Sequence, residues 1–218
     1  MFQQTVSSRR ELHLDQLRVL VPVKPGKVIG QWNNFMALAG KLKREDPTEV
    51  LYFIKASSSY LGPDEVIRQP ASSGKIVFEG ELGIVIGKVC KAVFENQAMD
   101  HAFGHTFAND VTHANIFNRD ASFTQWVRAK SFDTYCPLGP AIATGQETSS
   151  LVVKTMLNGE VRQNYPISDM RFSVQQLVSG ISGDIILCGT SVGVGSMKPG
   201  SRIEIEISGI GTLRYRFE

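Results

Sequence analysis

Glu79 and Glu81 stand one residue apart inside an otherwise apolar run, Lys75-Ile-Val-Phe-Glu-Gly-Glu-Leu-Gly-Ile-Val-Ile86. An extended chain alternates its side chains between two faces, so both carboxylates project from one side. Ile76, Phe78, Leu82, Ile84 and Ile86 take the other side, which reads as a face packed on a core. Two like charges in such a place repel and resist desolvation unless a cation or a proton resolves them. The pattern points to half of a divalent-metal site. Spacing alone favours a blander alternative, a solvated acidic patch on an edge strand.

With 218 residues the chain can bury a substantial core as one domain. A hydrophobic fraction of 42% and a charged fraction of 20% are those of an ordinary globular protein. The net charge of +2 is spread out, and Lys41-Leu-Lys-Arg44 reads as a solvated helix end, so no nucleic-acid partner is expected. No apolar stretch approaches the ~18 residues of a membrane span. The first ten residues, Met1-Phe-Gln-Gln-Thr-Val-Ser-Ser-Arg-Arg10, lack the basic-then-apolar layout of a secretory signal. Cys90, Cys136 and Cys188 are dispersed and odd in number, which predicts reduced thiols and a cytoplasmic setting.

Along the chain, residues 1–50 hold short strand-like pieces and one helix over residues 34–44, with Phe35, Leu38, Ala39 and Leu42 as its inward stripe. Residues 56–75 are rich in Ser, Gly and Pro and read as loop. Beyond them most of the chain is strand. Asn158-Gly159 between two extended runs predicts a hairpin closed by a type I′ turn. Ser168-Asp169 predicts a capped helix over residues 170–179, with Phe172, Val174, Leu177 and Val178 facing inward. Arg202-Ile-Glu-Ile-Glu-Ile207 is a clear period-2 strand. Many strands with a few helices and no regular alternation argue for an α+β fold.

Several segments together resemble the fumarylacetoacetate hydrolase family over residues 27–218. They are Phe78-Glu-Gly-Glu-Leu-Gly83 with Val85-Ile-Gly87, Ala108-Asn-Asp-Val-Thr112, and Arg128-Ala-Lys-Ser-Phe-Asp133 running into Cys136-Pro-Leu-Gly-Pro140. Asp169-Met-Arg-Phe172, Gly183-Asp-Ile-Ile-Leu-Cys-Gly-Thr190, Gly193-Val-Gly195 and Gly209-Ile-Gly-Thr-Leu213 follow in order. The resemblance implies a mixed β-sandwich roll, a single domain with residues 51–218 as its catalytic core, and a homodimer. It also implies Mg²⁺ or Mn²⁺ and a short 2-oxo or diketo acid as substrate. Glu79, Glu81 and Asp110 match the family's metal-binding carboxylates, and hard oxygen donors suit those ions. Lys130 matches a lysine facing the substrate, and Thr190 a hydroxyl that binds its carboxylate. Gln125, Arg128 and Lys55 are expected as further contacts for an anion. His101, His105 and His113 show no zinc spacing.

One stretch departs from the family. Its hydrolases carry Gly-x-Asn-Tyr-x-x-His-x-x-Glu on a lid helix, where the His–Glu pair activates water. Here the corresponding stretch is Ile29-Gly-Gln-Trp-Asn-Asn-Phe-Met-Ala-Leu-Ala-Gly-Lys-Leu42. Met36 or Leu38 stands at the His position, and Ala39 or Lys41 at the Glu position, depending on register. Losing a general base costs a factor of about 10²–10⁴. The family default, C–C hydrolysis of an acylpyruvate-like acid, therefore competes with decarboxylation, hydration or keto–enol tautomerisation of a 2-oxo acid. A metal- and oxo-acid-binding subunit without chemistry is the third reading.

Overall fold

A computed structural model describes residues 13, 16–72, 74–181 and 183–218, so the N-terminal stretch read above lies outside the described residues. Strands are numbered along the chain. One sheet of seven has the order β2 (Leu51–Lys55), β1 (Val28–Trp32), β12 (Ile185–Leu187), β6 (Gly80–Ile86), β7 (Ala102–Asn109), β9 (Cys136–Ala143) and β3 (Tyr60–Leu61). A second, of five, runs β11 (Glu160–Pro166), β10 (Val152–Leu157), β14 (Arg202–Ile207), β15 (Gly211–Phe217) and β4 (Val66–Ile67). A third, of three, joins β13 (Gly195–Met197), β5 (Ile76–Phe78) and β8 (Thr112–His113). The α-helices are short: α1 (Met36–Lys41), α2 (Trp126–Lys130) and α3 (Val174–Gly180). This is the mixed α+β roll expected.

The main core lies between the two larger sheets, in one cluster that includes Leu82 and Ile84 from the first and Val153, Ile203, Ile205, Leu213 and Tyr215 from the second. Each such side chain contributes about 1.5–3 kcal/mol on burial. The other face of the seven-stranded sheet packs a smaller cluster of Val28, Val85, Ala108, Cys136, Leu138, Ile185 and Leu187. The central strand β6 is therefore buried on both sides, not on one as its alternation suggested. Cys90, Cys136 and Cys188 are joined in no disulfide, in keeping with the thiols expected, and all three are buried. No helix among the described residues is long and apolar enough to cross a membrane.

The hairpin forms as expected, with Asn158 at φ 54° and Gly159 at φ 83°. Elsewhere the elements differ. The apolar run around the two glutamates is not one strand: it breaks at Glu79, and β5 and β6 belong to different sheets. The helix expected over residues 34–44 shortens to α1; Phe35 and Ala39 are buried while Leu42 is exposed. Helix α3 starts at Val174, because Ser173 and Gln176 form a reciprocal capping box. Ser168 and Asp169 lie in a 3₁₀ turn instead. The Asp169 carboxylate accepts the Ala37 N–H at 3.1 Å, so it serves the first turn of α1, where negative charge is stabilising.

Candidate active site

The break at Glu79 forms a corner, and Gly80 is what allows it. A Cβ on Gly80 would lie 2.1 Å from Thr155 Oγ1. Any side chain there would push the five-stranded sheet away. Close approach lets β11 seat the corner: Gly80 N–H donates to Gln163 Oε1 at 3.0 Å, and Tyr165 Oη donates to Gly80 O at 2.6 Å. On the other side the Glu79 N–H donates to Asn109 Oδ1 at 3.0 Å, and the Asp110 N–H to Glu79 O at 2.9 Å. Backbone pairing thus brings the end of β7 against the start of β6.

Three carboxylates converge there. Glu79, Glu81 and Asp110 each offer an oxygen within 4.8 Å of the others. Two lysines reach in. Lys130, from the end of α2, donates to Glu79 Oε2 at 2.9 Å and to Asp110 Oδ2 at 2.5 Å. Lys55, from β2, donates to Asp110 Oδ1 at 2.5 Å. Both lysines are fully buried. Lys130 Nζ also stands 4.9 Å from the centroid of the Phe53 ring, a cation–π contact in a dry setting. Glu79 Oε1 accepts from Thr112 Oγ1 at 2.9 Å, and Glu81 Oε2 accepts the Gly189 N–H at 2.9 Å.

The electrostatics follow. Burial, with Asp110 and Glu79 as like charges beside it, pushes Glu81 well above the usual carboxylate range. Burial also raises Glu79, against the pull of Lys130. Asp110 goes the other way. Burial opposes its charge, but Lys130 and Lys55 together hold it below its ordinary value. Burial would likewise strip Lys130, yet Asp110, Glu79 and Glu81 raise it above a free lysine. Two ammoniums face three acids, which leaves one acid short of a lysine counter-charge. A hard divalent cation suits the same oxygens.

Other predicted residues fall around this corner. Thr190 is half-buried just past Gly189; its hydroxyl donates to Gly80 O at 3.2 Å and accepts from Gln163 Nε2 at 2.8 Å. Gln125 accepts from Arg128 Nη1 at 3.0 Å, and both line an apolar groove with Tyr52, Phe53 and Trp126. Neither is among the groups that touch the acids. The histidines are engaged elsewhere: His101 with Val89 O, His105 with Thr148 and His113 with Ser72. Sequence reasoning missed Thr112, Gln163, Tyr165 and Arg44. The Arg44 guanidinium lies 4.0 Å from the Trp32 ring centroid, and its charge interacts with Glu79. Of these, only Thr112 carried a signal, two residues after Asp110 in a matched motif.

A mixed α+β roll whose sheets turn at a buried carboxylate–lysine corner is the class that fold and site define. Residues 27–218 match the family described as fumarylacetoacetate (FAA) hydrolase C-terminal, and the chain belongs to it. The family is enzymatic. Oxaloacetate tautomerase fahd2, mitochondrial, of Xenopus laevis is 33% identical over 225 residues, covering 95% of this chain and 70% of that protein. The solved structure of 5-carboxymethyl-2-hydroxymuconate delta-isomerase from Mycobacterium smegmatis superposes with a TM-score of 0.87 at 35% identity, covering 96% of this chain and 85% of that one. Fumarylpyruvate hydrolase from Pseudomonas aeruginosa, solved with Mn²⁺ and pyruvate, shares the fold at a TM-score of 0.81 and 24% identity, covering 94% of this chain and 99% of that one.

Proposed function

We propose that this protein is a divalent-metal-dependent enzyme that shifts a proton at the carbon beside the ketone of a short 2-oxo or diketo acid, as a keto–enol tautomerase or isomerase. The observation that carries the reading is the side chains on and around α1. Met36 and Ala39, or Leu38 and Lys41, stand where family hydrolases hold their water-activating pair, and no described histidine touches the acids to replace it. Proton transfer between carbon and oxygen needs no attacking water. The tautomerase and isomerase names of relatives 33% and 35% identical agree with this.

In this reading Glu79, Glu81 and Asp110 would hold Mg²⁺ or Mn²⁺, which would supply Lewis-acid polarisation of a ketone oxygen. The Lys130 ammonium, charged and fixed by two carboxylates, stabilises the enolate oxygen as negative charge develops there. Thr190 turns its hydroxyl from Gly80 O to the substrate carboxylate, while Gln163 keeps hold of the oxygen. Arg44, which makes no ion pair among the described residues, attracts the anion from the Trp32 side, and Gln125 lies further out beside Arg128. Lys55 holds Asp110 in place.

The test is a panel of enolisable substrates with Mg²⁺ or Mn²⁺: acylpyruvates, oxaloacetate and 2-oxo-enoic acids. Loss of enol absorbance without a change in mass is the expected result. Release of pyruvate plus a carboxylic acid would instead establish C–C hydrolysis, and release of carbon dioxide a decarboxylase. Silence across the panel sinks the proposal.

A further inference from the structure

The Cys188–Gly189 peptide is pinned at both ends. Its N–H donates to Glu81 Oε2 at 2.9 Å, and its carbonyl accepts from Asn34 Nδ2 at 2.8 Å. Asn34 is buried just before α1, and its other amide atom is also committed: Oδ1 accepts the Phe172 N–H at 2.9 Å. The Asn34 backbone oxygen accepts the Arg171 N–H at 2.8 Å. Rotating the Asn34 amide by half a turn would break both side-chain bonds at once, so its donor end is fixed toward Cys188 O.

The peptide plane needs such a hold because Gly189 does not supply one. Its φ is +90°, and glycine takes the mirror-image value about as readily. A flip of the plane would turn the Cys188 carbonyl toward the buried Glu81 carboxylate, oxygen against oxygen, which is costly away from solvent. We propose that Asn34 is the positioning residue of the carboxylate corner: it locks the Cys188–Gly189 peptide so that an N–H, not a carbonyl, faces Glu81. The same lock sets the direction of the chain into Thr190. The inference rests on reading Glu81 as a metal-site carboxylate, and it links the segment before α1 to that carboxylate through two hydrogen bonds, one on each side of the peptide.

Two variants test it independently. Asn34→Asp keeps an acceptor for the Phe172 N–H but sets an oxygen against Cys188 O. Gly189→Ala leaves Asn34 intact, and its new Cβ has room, 3.4 Å from Asn34 Cβ, yet a φ of +90° is strained for alanine and favours the flipped plane. Asn158→Ala, which strains the exposed β10–β11 turn and removes the acceptor of the Arg202 N–H, serves as the control for a general loss of stability. Mn²⁺ affinity is measured by calorimetry, and exchange of the Gly189 amide by hydrogen–deuterium exchange. The expected result is at least tenfold weaker Mn²⁺ binding and at least tenfold faster Gly189 exchange in both variants, with Asn158→Ala unchanged in both readouts. Wild-type affinity and exchange in Asn34→Asp would overturn the proposal, as would equal changes in Asn158→Ala. If the wild-type protein binds no Mn²⁺, the metal reading fails by itself. Exchange at Gly189 then decides the lock: faster in Asn34→Asp upholds it, unchanged overturns it.

Discussion

Two pairs of glutamates in this chain share one spacing and end in opposite surroundings. Glu204 and Glu206 on β14 alternate with Ile203, Ile205 and Ile207, much as Glu79 and Glu81 alternate with Phe78 and Leu82. The β14 pair faces outward. Arg214, directly across on β15, reaches Glu204 at 2.9 Å, and Lys154, across on β10, reaches Glu206 at 3.3 Å. These glutamate side chains keep 30% and 43% of their exposure. At the corner Glu81 is only 1% exposed, and a third acid, Asp110, joins the pair. Alternation decides which face a carboxylate takes. What covers that face decides whether the carboxylate is a surface charge or a chemical group.

The contrast can be broken most severely at the lysines. Lys130→Met leaves Glu79 and Asp110 short of a buried partner and should cost about 3–5 kcal/mol of stability, read from the urea midpoint. In protein that still folds, turnover on an enolisable 2-oxo acid should fall about 10²–10³-fold, the scale of a lost charge-stabilising group. Unchanged turnover would place Lys130 outside the chemistry. Next comes the carboxylate itself. Glu81→Gln should weaken Mn²⁺ binding by about 100-fold or more, beyond the effect typical of a lost outer partner, whereas Glu206→Gln should leave it intact. Equal affinities in the two variants would erase the distinction between the pairs.

A third prediction concerns pH. Glu81 and Glu79 are raised chiefly by burial, so each holds a proton to higher pH than a free carboxyl. An arriving cation must displace that proton. Mn²⁺ affinity should therefore strengthen as pH rises from 6 to 8, and titrations in buffers of different ionisation heat should show proton release. Binding that is flat with pH would mean these acids are already ionised in the folded chain. The smallest effect belongs to the surface pair: Lys154→Met should change stability by less than about 1 kcal/mol, and added salt should shrink even that. A larger loss would make the β14 glutamates more like the corner than their exposure suggests.

These two regions also differ in how openly the amino-acid order announces them. The β10–β11 hairpin and β14 were readable because each rests on a local rule, Asn158-Gly159 for the turn and strict alternation for the strand. The site was readable only in part. Glu79, Glu81, Asp110 and Lys130 sit in matched motifs, and they do converge. That β5 and β6 are separate strands was hidden, since nothing in the apolar run breaks its pattern; the corner is seated by Gln163 and Tyr165 of a different sheet, with no room for a Cβ at Gly80 beside Thr155. Lys55 was suspected only as a contact for an anion, and its bond to Asp110 spans 55 positions in the chain. The start of α3 was misread for a simpler reason. Ser168 and Ser173 both offer a cap, but only Ser173 has a glutamine three residues on to complete the box.

Lys55 and Lys130 carry a last consequence. In small proteins organised by a structural metal, the ligands have no other counter-charge, and chelation unfolds the chain. Here the neutralising charges are covalently attached and buried, gripping Asp110 from both sides. The carboxylate cluster is thereby preassembled, and loss of a bound ion would leave the surrounding sheets folded. Chelator should then silence such a protein without melting it.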